Sequence, residues 1–117
     1  MRYIMLIYSQ EDETVTPEAI GAVAEAHHAL LNETQSRGIL RGAEPLAASV
    51  TATTVRVQDG KVVVTDGPYA ETKEQLAGFY ILDCENLDEA LEWAAKVPTG
   101  CQGGGGLVEV RPLRQMP

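Results

Sequence analysis

Two segments of this 117-residue chain are apolar on both faces when they are read as β-strands. Residues 3–8 (YIMLIY) contain only apolar or aromatic side chains, and both alternating sets are apolar again in residues 78–84 (GFYILDC). Successive side chains of a strand point to opposite sides of the sheet, so both faces of these strands must be shielded from water. The chain therefore needs cover on both sides of one sheet.

Two helices are predicted around these strands. Thr16 and Pro17 are typical of a helix start, and Gly38 predicts the end of that helix. Asn86 and Glu89 form a capping box that starts a second helix, which ends before residue 98. Helical spacing predicts buried stripes at Ile20, Val23, His27, Leu30, Leu31 and Thr34 in the first helix, and at Leu87, Ala90, Leu91 and Ala94 in the second, with Trp93 and Val97 at its edge.

A hairpin is the clearest local signal. The dipeptide Asp59-Gly60 suits a two-residue turn between strands at residues 53–58 and 61–65. In that register Val57 faces Val62 and Val55 faces Val64, which makes one face of the ribbon aliphatic. The remaining segments are a short irregular strand at residues 39–46, one helical turn at 70–76, a flexible glycine-rich loop at 100–106 and a last strand at 107–111.

The order of these elements favours a ferredoxin-like α+β fold, an antiparallel sheet with two helices on one face, in a single domain over residues 1–117. Two helices cover only one face of such a sheet, and an apolar face left in water would exceed what soluble monomers usually expose. We therefore expect a homodimer through the open sheet face, burying on the order of 800 Å² per chain.

Composition excludes several classes of protein. The formal net charge of −8 argues against binding to nucleic acid or to an anionic membrane. The longest apolar run has six residues, against the ~20 that a membrane helix needs, and the start does not resemble a signal peptide, so we expect a cytoplasmic protein. Cys84 and Cys101 are interpreted as reduced, unreactive thiols. The adjacent His27 and His28 lack metal-ligand spacing, so no metal site is expected.

Residues 66–80 (DGPYAETKEQLAGFY) closely resemble the signature of the DGPF subgroup of YCII-related proteins. Residues 52–56, 88–94 and 108–112 support the match, and the one departure within the signature is Tyr69, where Phe is usual. The resemblance implies a dimeric α+β barrel. It also implies a proposed acid–base pair of a helix His, which matches His27, and an Asp in an Asp-Pro pair, which is replaced here by Val97. Some DGPF relatives are encoded beside extracytoplasmic-function sigma factors, which hints at a signalling role.

The candidate site follows from these residues. His27 is either a core histidine or a general base at the bottom of a cleft between helix and sheet. Asp66 either bonds its own turn or replaces the missing acid and orients the imidazole. Ligand contacts are predicted for Tyr8, Arg41, Arg56, Tyr69 and Lys73. The leading hypothesis is binding of a small organic molecule with cofactor-free isomerase- or lyase-like chemistry; the alternatives are a sensing or partner-binding module linked to sigma-factor regulation, and a structural accessory dimer.

Overall fold

A computed structural model describes residues 1–11, 14–99 and 105–116 of the chain. The strands are β1 (Arg2–Ser9), β2 (Leu40–Pro45), β3 (Thr53–Gln58), β4 (Lys61–Asp66), β5 (Gln75–Asp83) and β6 (Gly106–Pro112), and the helices are α1 (Pro17–Ser36) and α2 (Leu87–Ala94), with a single 3-10 turn at Ser49–Thr51. In these residues β2, β5, β1 and β6 form an antiparallel sheet in that order, and β3 pairs with β4 in a separate ribbon. The ferredoxin-like α+β prediction is confirmed.

The core lies between the helices and one face of the sheet. Alternating side chains of the two central strands are buried there, namely Tyr3, Met5 and Ile7 of β1 and Tyr80 and Leu82 of β5. They pack with Leu30 of α1 and Ala90 and Trp93 of α2. This burial accounts for one of the two apolar sets in each strand.

The second apolar set lies on the opposite face of the same strands. Ile4 pairs with Ile81, and Leu6 pairs with Phe79, so four large apolar side chains form a patch in the middle of the sheet. All four are partly exposed, and both helices that the structure describes belong to the other layer. We call these four residues the open sheet face.

The helix starts follow the capping prediction. The Thr16 hydroxyl oxygen accepts a hydrogen bond from the Ala19 amide at 3.2 Å, and the Asn86 side chain accepts one from the Glu89 amide at 2.9 Å. The Glu89 carboxylate accepts a hydrogen bond from the amide of Glu85, one position earlier than a capping box requires. Gly38 follows α1 with a φ of +72°, the left-handed conformation that favours glycine at a helix end.

Both predicted helix stripes need correction. In α1 only Leu30 and Thr34 are buried and Ile20 is 56% exposed, because the first turns of the helix extend past the core. In α2 Trp93 is buried, whereas Leu87 and Leu91 are each 48% exposed. The apolar residues of α2 form one arc of the helix, with Trp93 at one end and Leu91 at the other, and the packing covers the end that carries the large indole of Trp93.

The hairpin has the predicted register and turn. Asp59 and Gly60 have φ values of +51° and +75°, which is the type I′ geometry that joins strands of right-handed twist. The aliphatic face of the ribbon is 60–67% exposed and consists of Val55, Val57, Val62 and Val64.

The predicted helical turn at residues 70–76 is wrong. The side-chain amide of Gln75 donates hydrogen bonds to the carbonyl oxygens of Ala70 (3.1 Å) and Thr72 (2.9 Å), and this holds the segment as an irregular loop before β5. Most of the predicted glycine-rich loop, residues 100–104, lies outside the described residues. Neither described helix is long and apolar enough to cross a membrane.

Candidate ligand-binding site

A histidine–tyrosine pair lies between α1 and the sheet. The Nδ1 atom of His27 is 2.6 Å from the Tyr80 hydroxyl oxygen, and the two rings stack with centroids 5.8 Å apart and planes 17° from parallel. Tyr80 has the same strand parity as Leu82, so its ring points toward the helices, where His27 is a polar member of the α1 stripe. A buried phenol needs a hydrogen-bond partner, and the helix supplies the imidazole.

Burial shifts both members of the pair toward their uncharged forms. It lowers the pKa of His27, and the positive charge of His28 beside it acts in the same direction. Burial also raises the pKa of Tyr80. At neutral pH the contact is therefore a hydrogen bond between two uncharged groups.

The other ring nitrogen of His27 faces solvent. Within the described residues, Nε2 has no hydrogen-bond partner, and no buried side-chain nitrogen or oxygen lacks one. Nε2 must therefore be reachable by water, whereas Nδ1 is occupied by Tyr80. The pair thus offers one open polar atom, held in place by a second aromatic ring.

Asp66, the predicted partner of His27, lies elsewhere. It lines a separate cleft of about 520 Å³ at the base of the hairpin, together with Glu11, Glu71 and Lys73. Among the described residues the Asp66 carboxylate accepts no hydrogen bond, so neither its predicted bond to the turn nor one to His27 is formed in this single chain. Its role in orienting the imidazole stays a prediction.

Glu11 is fixed at the edge of that cleft. Its carboxylate accepts hydrogen bonds from the Ser49 amide (2.7 Å) and from the Ser49 hydroxyl. These bonds, the one from the hydroxyl first, lower the pKa of Glu11. Three carboxylates therefore share the cleft with one ammonium group, that of Lys73.

The other predicted ligand residues are spread over the surface. Arg41 donates to the Gly38 carbonyl (2.8 Å) and pairs with Asp83 (3.3 Å). The Arg56 guanidinium lies 6.0 Å from the centre of the Tyr69 ring, which is 82% exposed. Tyr8 stands beside the open sheet face, in the strand parity of Leu6. The structure brings Lys73 and Asp66 to one cleft and Arg56 close to Tyr69, and it leaves Tyr8 and Arg41 elsewhere, so these ligand contacts remain predictions.

Metal-ligating side chains and the thiol of Cys84 are the remaining candidates for chemistry in the described residues. No group of three or more His, Cys, Asp or Glu side chains there is arranged to hold a metal ion. Cys84 is a buried free cysteine, and burial, followed by the charges of Glu89 and Asp83, raises the pKa of its thiol. That shift disfavours the thiolate, the reactive form. Cys101 lies outside the described residues.

Tyr80 was not among the ligand residues predicted from the sequence, where packing was the role expected of it. The signal was present, because Tyr80 alternates with Phe79 and Ile81 and falls in the set that faces the helices. A tyrosine in a core-facing position implies a polar partner for its hydroxyl. His27 was the predicted polar residue of the facing helix stripe, so the two requirements together indicate the pair.

Two comparisons with known proteins identify relatives of this chain. The model of the YCII-related domain family matches residues 1–117 of the chain. An uncharacterised protein of Rhizobium meliloti (strain 1021) is 38% identical over 115 residues, an alignment that covers 97% of this chain and 92% of that protein.

Proposed function

Because the chain belongs to the YCII-related domain family, we propose that it binds a small organic molecule beside the His27–Tyr80 pair. The molecule contacts the solvent-accessible Nε2 atom of His27, on the side of α1 that packs against the sheet. Any reaction there is cofactor-free acid–base chemistry of the isomerase or lyase type, since histidine and tyrosine are side chains that can transfer protons. The DGPF-like signature at residues 66–80 supports membership of that subgroup as part of the same proposal.

The observation that carries this proposal is the 2.6 Å contact between the two side chains. A histidine that only filled space in the core would need no open nitrogen. Here one nitrogen is anchored by a buried hydroxyl, and within the described residues the other has no partner. Groups with perturbed pKa values in such a setting are candidates for function.

The proposal includes a cytoplasmic homodimer formed through the open sheet face. Support comes from Ile4, Leu6, Phe79 and Ile81, which form an apolar patch on the side of the sheet away from the helices. Two such faces packed across a two-fold axis would cover both patches at once. The resulting assembly is the dimeric α+β barrel that the sequence resemblance implies.

A thermal-shift screen tests the binding site. A panel of small carbonyl compounds and carboxylates is applied to the wild-type protein, to His27→Ala and to the matched control His28→Ala, which changes the exposed neighbouring histidine. A compound that binds the native state raises the melting temperature. We expect shifts that persist in the control and disappear in His27→Ala. If His27→Ala gains stability and keeps every shift, or if no compound shifts the wild type, the proposal fails.

A second candidate function is a non-catalytic partner-binding module linked to sigma-factor regulation. The specific observation in its favour is the aliphatic face of the hairpin, where four valines are 60–67% exposed. Single apolar residues scattered over a surface are ordinary, whereas four neighbouring exposed valines form a contiguous patch, which is typical of a binding surface. Loss of partner binding on Val57→Asp, with no ligand response at His27, would favour this module over the enzyme.

A further inference from the structure

We propose that Tyr80 fixes the tautomer of His27 so that Nε2 presents an N–H donor, and that the site therefore takes a ligand through an acceptor oxygen of a carbonyl or carboxylate group. This inference rests on the proposed binding function at His27. Tyr80 is in this view a positioning residue, because it acts on the ligand only through the imidazole.

The assignment starts from the Tyr80 hydroxyl. A phenol carries one proton to donate, and within the described residues the only acceptor in hydrogen-bond distance of this hydroxyl is His27 Nδ1. If Nδ1 carried the ring proton instead, the phenol proton would have no protein acceptor among those residues, although Tyr80 is only 3% exposed. The hydroxyl therefore donates, and Nδ1 accepts with its lone pair.

The second ring nitrogen then follows from the chemistry of imidazole. A neutral imidazole carries one proton, so a lone pair on Nδ1 places that proton on Nε2. Nε2 is the nitrogen that reaches solvent. The Nε2 atom is consequently a hydrogen-bond donor. It cannot act as a base, because it already carries the single proton of the neutral ring. This changes the expected role of His27 from general base to donor.

The stacking of the two rings fixes the orientation of the Nε2–H donor. The near-parallel rings, 17° apart, and the 2.6 Å bond hold the imidazole at two points, so the direction of the Nε2–H bond is set before a ligand arrives. A fixed donor of this kind selects a ligand oxygen with a free lone pair. A protonated amine has N–H donors and no lone pair, so it cannot accept the Nε2–H hydrogen bond.

Nitrogen NMR shows directly which ring nitrogen of His27 carries the proton. We propose a two-bond ¹H–¹⁵N correlation experiment at neutral pH on protein with ¹⁵N-labelled histidine, for the wild type and for Tyr80→Phe, which keeps the ring and removes the hydroxyl. The wild-type His27 should show a protonated Nε2 and an unprotonated Nδ1, and Tyr80→Phe should shift His27 toward a mixture. The exposed His28 is the internal control and should look the same in both proteins. A wild-type His27 protonated at Nδ1, or a pattern unchanged by Tyr80→Phe, would overturn the assignment.

Three probes of similar size test the ligand class in the same spectra. Benzamide offers a neutral carbonyl oxygen, benzoate offers a carboxylate, and benzylamine offers only N–H donors at neutral pH. We expect benzamide or benzoate to shift the Nε2 resonance of His27. The compound that shifts it shows whether the ligand oxygen belongs to a neutral carbonyl or to a carboxylate. A response to benzylamine alone, or to none of the three, overturns the ligand class. The tautomer is read without any ligand, so a failed thermal-shift screen refutes the binding function while leaving the role of Tyr80 standing.

Discussion

Removing the Tyr80 hydroxyl should cost the protein about 1 kcal/mol of folding free energy. Tyr80→Phe keeps the ring stacked on His27 and deletes only the atom that lies 2.6 Å from Nδ1. Since burial favours the uncharged form of both groups, the lost bond is one between neutral partners, which contributes about 0.5–1.5 kcal/mol net. The half-buried imidazole can turn its freed nitrogen toward water, which keeps the cost near the middle of that range.

A double-mutant cycle assigns this free energy to the pair. Tyr80→Phe, His27→Leu and the double variant are unfolded in urea at pH 7 and at one fixed protein concentration, since association shifts apparent stability. The expected coupling free energy is about 1 kcal/mol. Tyr69→Phe is the matched control, because that ring is 82% exposed and its change should stay within about 0.5 kcal/mol. A coupling indistinguishable from zero, or equal losses for Tyr80→Phe and Tyr69→Phe, would refute the reasoning.

The remaining predictions concern the dimer, the titration of the pair and the sheet. Phe79→Asp places a charge on the open sheet face of both copies and should raise the dimer dissociation constant at least about 100-fold in sedimentation equilibrium, whereas Val63→Asp in the hairpin leaves it within about threefold. The lowered pKa of His27 means that the unfolded chain binds this proton first, so stability falls as pH drops below 6.5; His27→Leu should remove that part of the fall in urea melts. Gly78→Ala should destabilise the protein by about 2–3 kcal/mol, because the added Cβ would lie 2.8 Å from a backbone oxygen of β2. In the control Gly42→Ala the added Cβ would lie 3.7 Å from its nearest neighbour, so the free energy of unfolding should change by less than about 1 kcal/mol. Similar losses for the two variants would contradict the packing.

Residues close together in the sequence were sufficient to predict the hairpin and the helix starts. Asp59-Gly60 adopts the turn that those residues favour, and the capping bonds of Thr16 and Asn86 form as their side chains predict. In each case the decisive interaction lies within a few residues along the chain. The strand assignments at residues 3–8 and 78–84 succeeded for the same kind of reason, since each segment is a short apolar run rich in residues that favour strands.

Interactions between distant residues decided what the sequence did not reveal. The packed side of α2 depends on Trp93, whose ring is flanked by the Arg37 guanidinium at 5.4 Å and the Lys96 ammonium at 4.5 Å. Helical spacing contains no information about such partners. The loop at residues 70–74 has a local cause instead: the side-chain amide of Gln75 donates to the carbonyl oxygens of Ala70 and Thr72, which a helical turn would use.

The candidate site was predicted in part. His27 was singled out from its place in an apolar stripe, and the structure gives it a partly buried position against the sheet. Its bonded neighbour is Tyr80, which is 53 residues away in the chain, whereas the sequence pointed to Asp66. Parity places Tyr80 on the helix-facing side, but the pairing also needs the offset between α1 and β5, which only packing determines.

Sedimentation equilibrium of the wild-type protein at dilute concentration tests most directly whether the open sheet face requires a second copy. Ile4, Leu6, Phe79 and Ile81 are only partly covered in one chain, so we expect twice the chain mass of 12.6 kDa down to micromolar concentration or below. A well-folded species of 12.6 kDa under those conditions would contradict the proposed assembly.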